Sequence, residues 1–270
     1  MTPSVITIEA MSGSWGPSDP SLWLTRALGH WETQLMVAWP PGVPGPSRCT
    51  INNVTLLRTG DWEIDLGLWE TGLRSIVYRE PNLRTDVDLA ADPVTWTPAR
   101  DFSRVFSFQD MRGGGRDKLE DVWDSVQEEA NRPWDYGCGR PLFRSSLLRL
   151  VGCYVIMNVY HHAAGDGTSG MIVTRSLLDN YDVLRNGGRL EVSVNRPLPS
   201  IENLTMGVKE DEILKTLINN KVDRAKTYKP FTPFDLEEMK AGQAETLPLN
   251  LTMIREGTQA GEYMASSVQT

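Results

Sequence analysis

The spacing of apolar positions changes several times along this chain, and the changes mark out its elements. Leu66, Trp69, Leu73 and Ile76 recur at three- and four-residue intervals, which predicts a helix over about Asp61–Arg79, ended by Pro81. Leu119, Val122, Trp123, Val126 and Ala130 repeat that pattern and stop before Pro133. Val173, Leu177, Tyr181 and Leu184 repeat it once more, up to Gly187-Gly188. Between the last two, the apolar runs Phe143–Leu150 and Cys153–Tyr160 flank Gly152 and predict neighbouring strands. Glu32–Trp39 also reads as a strand, and shorter ones are expected at Arg84–Leu89, Val94–Pro98 and Arg104–Phe108. This mixture predicts an α/β (α+β) sandwich, a mixed β-sheet flanked by helices.

Proline and glycine set the breaks. Pro40–Pro46 and Arg112–Arg116 are expected loops, because proline can neither donate to a ladder nor continue a helix and glycine favours turns. Gly113-Gly114-Gly115 lacks a following Lys-Ser/Thr and a strand–helix setting, so it reads as a flexible connection, not a phosphate loop. Past Leu190 the pattern weakens. A linker holds Pro197 and Pro199, one amphipathic helix carries Ile213, Leu214, Leu217 and Val222, and Leu247–Ile254 has room for one strand before a polar end from Arg255. The expected organisation is a domain over residues 20–190. Residues 191–270 would then hold a linker, a helix, the start of a second subdomain and a loose tail.

The bulk numbers narrow the function classes. The 270 residues are 40% apolar and 23% charged, ordinary for a globular chain with a sizeable core. A net charge of -8, with Lys and Arg scattered and in no dense run, argues against nucleic acid or an anionic membrane as partner. Cys49, Cys138 and Cys153 are odd in number and far apart, which excludes a disulfide framework or a CxxC clip and fits a reducing compartment. The start resembles no signal peptide, and no apolar run is long enough to span a bilayer, so a cytoplasmic location is expected. The nine tryptophans are spread over the first half, as core packing requires.

Of the three histidines, His161 and His162 are adjacent, at the end of an apolar strand and just before Asp166-Gly167 and a helix. A buried strand gives a rigid base, and the loop after it can aim a side chain into a cleft. Imidazole titrates near neutral pH, so it can take a proton from an attacking group and return it to a leaving group. A carboxylate four residues on can pin the loop by pairing with an arginine, and glycine allows close backbone packing. Neighbouring histidines on a strand point to opposite faces, which argues against one shared metal ion, and no metal is expected.

His161-His162-Ala163-Ala164-Gly165-Asp166-Gly167 resembles the HHxxxDG signature of the chloramphenicol acetyltransferase-like superfamily, which includes condensation domains, alcohol acetyltransferases and polyketide-associated acyltransferases. Arg26–Glu32 resembles the RxLGxxE opening of the latter two branches, and Pro81-Asn82-Leu83-Arg84 an hPxLR segment. Asn131–Asp135 and Gly139–Arg144 resemble the approach to the strands before the motif. These matches run in family order over about residues 24–190.

The resemblance implies the N-terminal subdomain of that fold. It implies His162 as general base, His161 as mainly structural, Asp166 in a loop-shaping salt bridge, and Gly167 keeping the loop close and the cleft open. It also implies a donor that is an acyl-CoA or an acyl carrier protein, a small-molecule alcohol or amine as acceptor, and no cofactor beyond the donor. Members of the family have two similar subdomains with the site between them. Here residues 191–270 would have to build the second, and the later DFGWG-type motif has no counterpart. The chain alone is therefore expected to be a poor enzyme with an open His162. A homodimer or a complementing second subdomain are the expected partners. The alternative is a non-catalytic half-domain that binds without turnover.

Overall fold

The most apolar run of the chain becomes the middle of a four-stranded sheet. The computed structural model describes residues 5–7, 15–36, 50–60, 62–114, 116 and 118–200. Its strands are β1 (Val5–Thr7), β2 (Thr50–Arg58), β3 (Thr85–Asp88), β4 (Thr95–Pro98), β5 (Phe106–Asp110), β6 (Phe143–Leu150), β7 (Cys153–His161) and β8 (Glu191–Ser193). Its α-helices are α1 (His30–Met36), α2 (Leu66–Arg79), α3 (Trp123–Asn131) and α4 (Gly167–Arg185).

The main sheet has the order β2-β7-β6-β5, with β5 parallel to β6 and the other pairs antiparallel. A mixed sheet flanked by helices is what the sequence predicts. Every residue of β7 is buried, because both faces of this strand are covered. Gly152, at φ +69°, makes the β6–β7 turn in the left-handed region that glycine tolerates.

Side-chain alternation splits the core in two. Tyr154, Ile156 and Tyr160 of β7, with Phe143 and Leu147 of β6 and Leu57 of β2, pack against Trp69, Leu73 and Ile76 of α2 and Val173, Leu177 and Tyr181 of α4. Cys153, Val155, Met157 and Val159 face the other way, with Val54, Leu148 and Leu150, and meet Val122 and Val126 at the start of α3. α2 begins at Asp65, whose carboxylate caps Gly67 and Leu68, and ends before Pro81.

Three sequence expectations are corrected or extended. Glu32 and its neighbours form the helix α1 and not a strand. The Glu32 carboxylate reaches back to the Gly29 N–H at 2.6 Å, the reciprocal half of a helix-start box. β2 was not anticipated, because Asn52 and Asn53 interrupt its apolar pattern. It pairs residue for residue with β7 from Thr50↔His161 to Arg58↔Cys153. β8, beyond the expected boundary at residue 190, pairs antiparallel with β1. The described residues up to Leu198 belong to one compact unit. The helix expected around residues 213–222, the strand at 247–254, the loop at 40–46 and the tail from 255 lie outside the described residues.

Candidate active site

β7 delivers His161 as its last residue, fully buried, on the face that α3 covers. Its ring stands edge-on to Trp134 and Tyr136, with centroids 6.3 and 5.9 Å away, and its Nδ1 accepts the Ala163 N–H at 3.1 Å. Trp134 is fixed in turn. Its indole N–H donates to Thr50 Oγ1 at 3.2 Å, and the Arg144 guanidinium lies 4.1 Å from its ring centroid. Arg144 is itself buried and paired with the buried Glu129 at 2.6 Å. Burial pulls the Arg144 guanidinium below its usual value and the Glu129 carboxylate acts against that. His161 is thus packed inside the core between β7 and the aromatic pair Trp134 and Tyr136.

The backbone turns directly after it. The Ala164 N–H bonds to the His161 carbonyl at 2.8 Å, and the Ala164 side chain is buried in a third apolar cluster with Leu24, Val87, Trp96 and Leu142. His162 is left half-buried, with Nδ1 3.2 Å from the Gly165 carbonyl oxygen. A carbonyl oxygen can only accept, so this contact requires the proton on Nδ1. The Nε2 lone pair is then the one available to take a proton.

Asp166 ends the turn and caps the helix that follows. Its carboxylate accepts from the Ser169 N–H at 2.8 Å and the Ser169 hydroxyl at 2.7 Å, closing a capping box at the start of α4. Those bonds hold its carboxyl below the usual aspartate range. Among the described residues its carboxylate makes no ion pair with an arginine. Gly167 is the first residue of α4.

Gly170, one turn into α4, is a point of close packing. A Cβ on Gly170 would overlap the Tyr160 hydroxyl and come within 2.9 Å of Asn53 Cβ. That closeness lets the Tyr160 hydroxyl donate to the Asp166 carbonyl at 2.9 Å, tying strand end to helix start. Burial, and secondarily the Asp166 charge, push the Tyr160 phenol well above its ordinary value, so it stays a donor. One turn further along α4, Thr174 Oγ1 accepts from Asn158 at 2.9 Å and donates to Asn53 Oδ1 at 2.8 Å, a buried bridge from α4 to β7 and β2. Sequence reading had no signal for Gly170, Tyr160 or this bridge, since none departs from ordinary helix or strand composition.

The Arg26–Glu32 segment has a structural role. The two side chains form a bidentate pair at 2.7 Å for both bonds, and Glu32 also holds the start of α1. Burial raises the Glu32 carboxyl, but Arg26 and the Gly29 N–H outweigh it and hold it below its ordinary value. Arg84 of the hPxLR segment is buried and donates to the carbonyls of Val77, Tyr78 and Leu22. Two cavities open nearby: about 740 Å³ beside Trp15, Trp23, Phe102 and Phe106, and about 170 Å³ beside Trp134 and Arg144. His162 lines neither. Among the described residues no group of three or more His, Cys, Asp or Glu is arranged to hold a metal ion, and no helix is long and apolar enough to cross a membrane.

Known proteins share this architecture. The starter condensation domain of the rhizomide synthetase RzmA superposes with a TM-score of 0.52 at 17% identity, over 77% of this chain and 49% of that one. The tallysomycin biosynthesis protein TlmII superposes with a TM-score of 0.50 at 20% identity, over 58% of this chain and 37% of that one. The chain has the condensation-domain fold. In sequence, subunits D and C of linear gramicidin synthase from Brevibacillus parabrevis are each 30% identical to it over 142 residues, 51% of this chain. The chain spans 3% and 2% of those subunits, and less than half of the two condensation-fold structures above. No protein-family profile matches it.

Proposed function

We propose that this chain carries the base-bearing half of an acyl-transfer site. His162 Nε2 takes the proton of an alcohol or amine as its oxygen or nitrogen attacks a thioester carbonyl. The new C–O or C–N bond forms, the C–S bond breaks, and the same imidazole returns the proton to the departing thiolate. Asp166, Gly167 and His161 act by holding the loop. The donor is an acyl-CoA or an acyl carrier protein, and no metal takes part.

The observation that carries this reading is the His162 Nδ1 contact to the Gly165 carbonyl, which turns Nε2 into the acceptor. The company the fold keeps supports it. A doubly substituted variant of the starter condensation domain of the rhizomide synthetase RzmA is a complex with C8-CoA and Leu-SNAC, at a TM-score of 0.53 and 18% identity. Because this chain spans 40% of that structure, the opposite wall of the cleft would come from residues outside those described or from a second chain.

The test is free-thiol release from several acyl-CoAs with a panel of alcohols and amines, alone and with candidate second subdomains. His162→Ala should lower turnover on the order of 10²-fold or more, the usual worth of general-base transfer. Undiminished turnover in that variant would give the role to another group. The second reading, a half-domain that binds without turnover, draws on the position of His162 outside both cavities. It predicts donor binding by the wild-type chain with no thiol release under any of these conditions.

A further inference from the structure

The sequence scatters its basic residues, but the fold gathers four arginines around one small cavity. Arg104, Arg132, Arg140 and Arg144 line the space of about 170 Å³, against two aspartates, Asp101 and Asp135. The chain as a whole is acidic, at -8, so this excess of guanidinium is local. The inner two arginines are committed. Arg140 bonds to Asp101 at 3.0 Å and to Asp135, and Arg144 pairs with Glu129. The outer two are not saturated. Arg104 is 61% exposed, with its carboxylate contact to Asp135 at 3.7 Å, too long for a hydrogen bond. Arg132 is 44% exposed and holds Glu129 through one nitrogen. Each guanidinium carries five donors, so both keep N–H groups for a ligand.

The cavity and the base loop share a wall. Trp134 lines the cavity, and the same indole stands edge-on to His161. A ligand anchored by the arginines therefore lies against Trp134, the ring on which His161, the residue before His162, packs.

We propose that this cavity binds a phosphate group, the phosphate of the pantetheine arm that carries the acyl thioester. This rests on the acyl-transfer reading. An acyl-CoA and an acyl carrier protein differ in what lies beyond that phosphate, but both present it with the thioester at the far end of the arm. Guanidinium groups match phosphate oxygens in bidentate geometry, and two unsaturated ones backed by two fixed ones make a directional anion site. The acidic exterior disfavours unspecific anions, so the site discriminates by position.

The experiment is isothermal titration of the full chain with 4′-phosphopantetheine, pantetheine and inorganic phosphate, repeated on Arg104→Gln and on Arg104→Gln/Arg132→Gln. Phosphopantetheine should bind at least about tenfold tighter than pantetheine, the scale of one charged hydrogen-bonded contact. Arg104→Gln, at an exposed and loosely held side chain, should lose most of that difference. The double variant should lose all of it while pantetheine binding stays as in wild type. Equal binding of the two pantetheines, a difference that survives in both variants, or no binding of either would overturn the proposal. Inorganic phosphate that binds through Arg104 without any gain for phosphopantetheine would make this a free-phosphate site and overturn it too. Thiol release from an acyl-phosphopantetheine that depends on His162 but is indifferent to Arg104 and Arg132 would sink this proposal alone and leave the catalytic reading standing.

Discussion

The two faces of the main sheet hold the same five-residue turn by different physics. On the face under α4, apart from the Asp166 cap at the helix start, the hold comes from neutral groups. Gly170 lets the helix touch Tyr160, the Tyr160 hydroxyl ties the turn to β7, and Thr174 bridges Asn158 and Asn53. On the face under α3, the hold is electrostatic and aromatic. Glu129 fixes Arg144, Arg144 lies over Trp134, and Trp134 meets the His161 ring. The difference shows where the turn is vulnerable. Shape complementarity degrades with added volume, whereas a buried ion pair fails abruptly when one partner is lost.

The largest expected effect follows from that asymmetry. Glu129→Ala leaves a guanidinium buried with only the Glu129 and Arg132 carbonyls at 2.8 Å, and should cost about 3–5 kcal/mol in denaturant melts. Glu129→Leu combined with Arg144→Met should recover a good part of that loss, since an apolar pair of similar volume is often no worse than a buried ion pair. A single-variant cost under 1 kcal/mol would show that the charged face holds nothing.

Next comes the neutral face. Gly170→Ala forces the helix off Tyr160 and should cost about 1–3 kcal/mol, read as a lower Tm. Finding this variant more damaging than Glu129→Ala would reverse the ranking of the two faces. Asp166→Ala removes the helix cap and should cost about 1 kcal/mol, with Asp166→Asn or Asp166→Ser close to wild type. Equal loss in all three would mean that the charge of Asp166, and not its cap, is what matters.

The smallest effect lies outside both faces. The folded Glu32 carboxyl sits below its ordinary value of 4.5, so it adds stability above that pH and loses it as pH falls through the lowered value. Wild type and Glu32→Gln should therefore differ by up to about 1 kcal/mol at neutral pH and converge as the pH falls through the lowered value. A gap that widens on acidification would contradict the sign.

The same contrast explains what the sequence could and could not tell. β6, β7, α2, α3 and α4 are legible because their apolar residues repeat at the period of their own backbone over several turns or pairs. β2 is not, since Asn53 faces into a hydrogen-bonded bridge that only the assembled sheet creates. α1 is held by a carboxylate reaching back to a backbone N–H, which a strand-like reading of Glu32–Trp39 overlooks. At the site, the paired histidines are conspicuous in a chain with three. Their supports, Glu129, Arg144, Trp134, Tyr160 and Gly170, come from separate segments, and no local pattern links residues that meet only in three dimensions. The arginine cavity is the plainest case, gathered from a stretch of forty residues without a basic run.

The account depends most on which nitrogen of His162 carries the proton. Long-range ¹H–¹⁵N correlation spectra resolve this directly, because the chain has three histidines and single substitutions assign each ring. In its neutral form, His162 should be protonated at Nδ1 and bare at Nε2, and Trp134→Ala should broaden or mix that pattern. A neutral His162 protonated at Nε2 would leave no lone pair facing the acceptor, and the assignment of this residue as the base would fall.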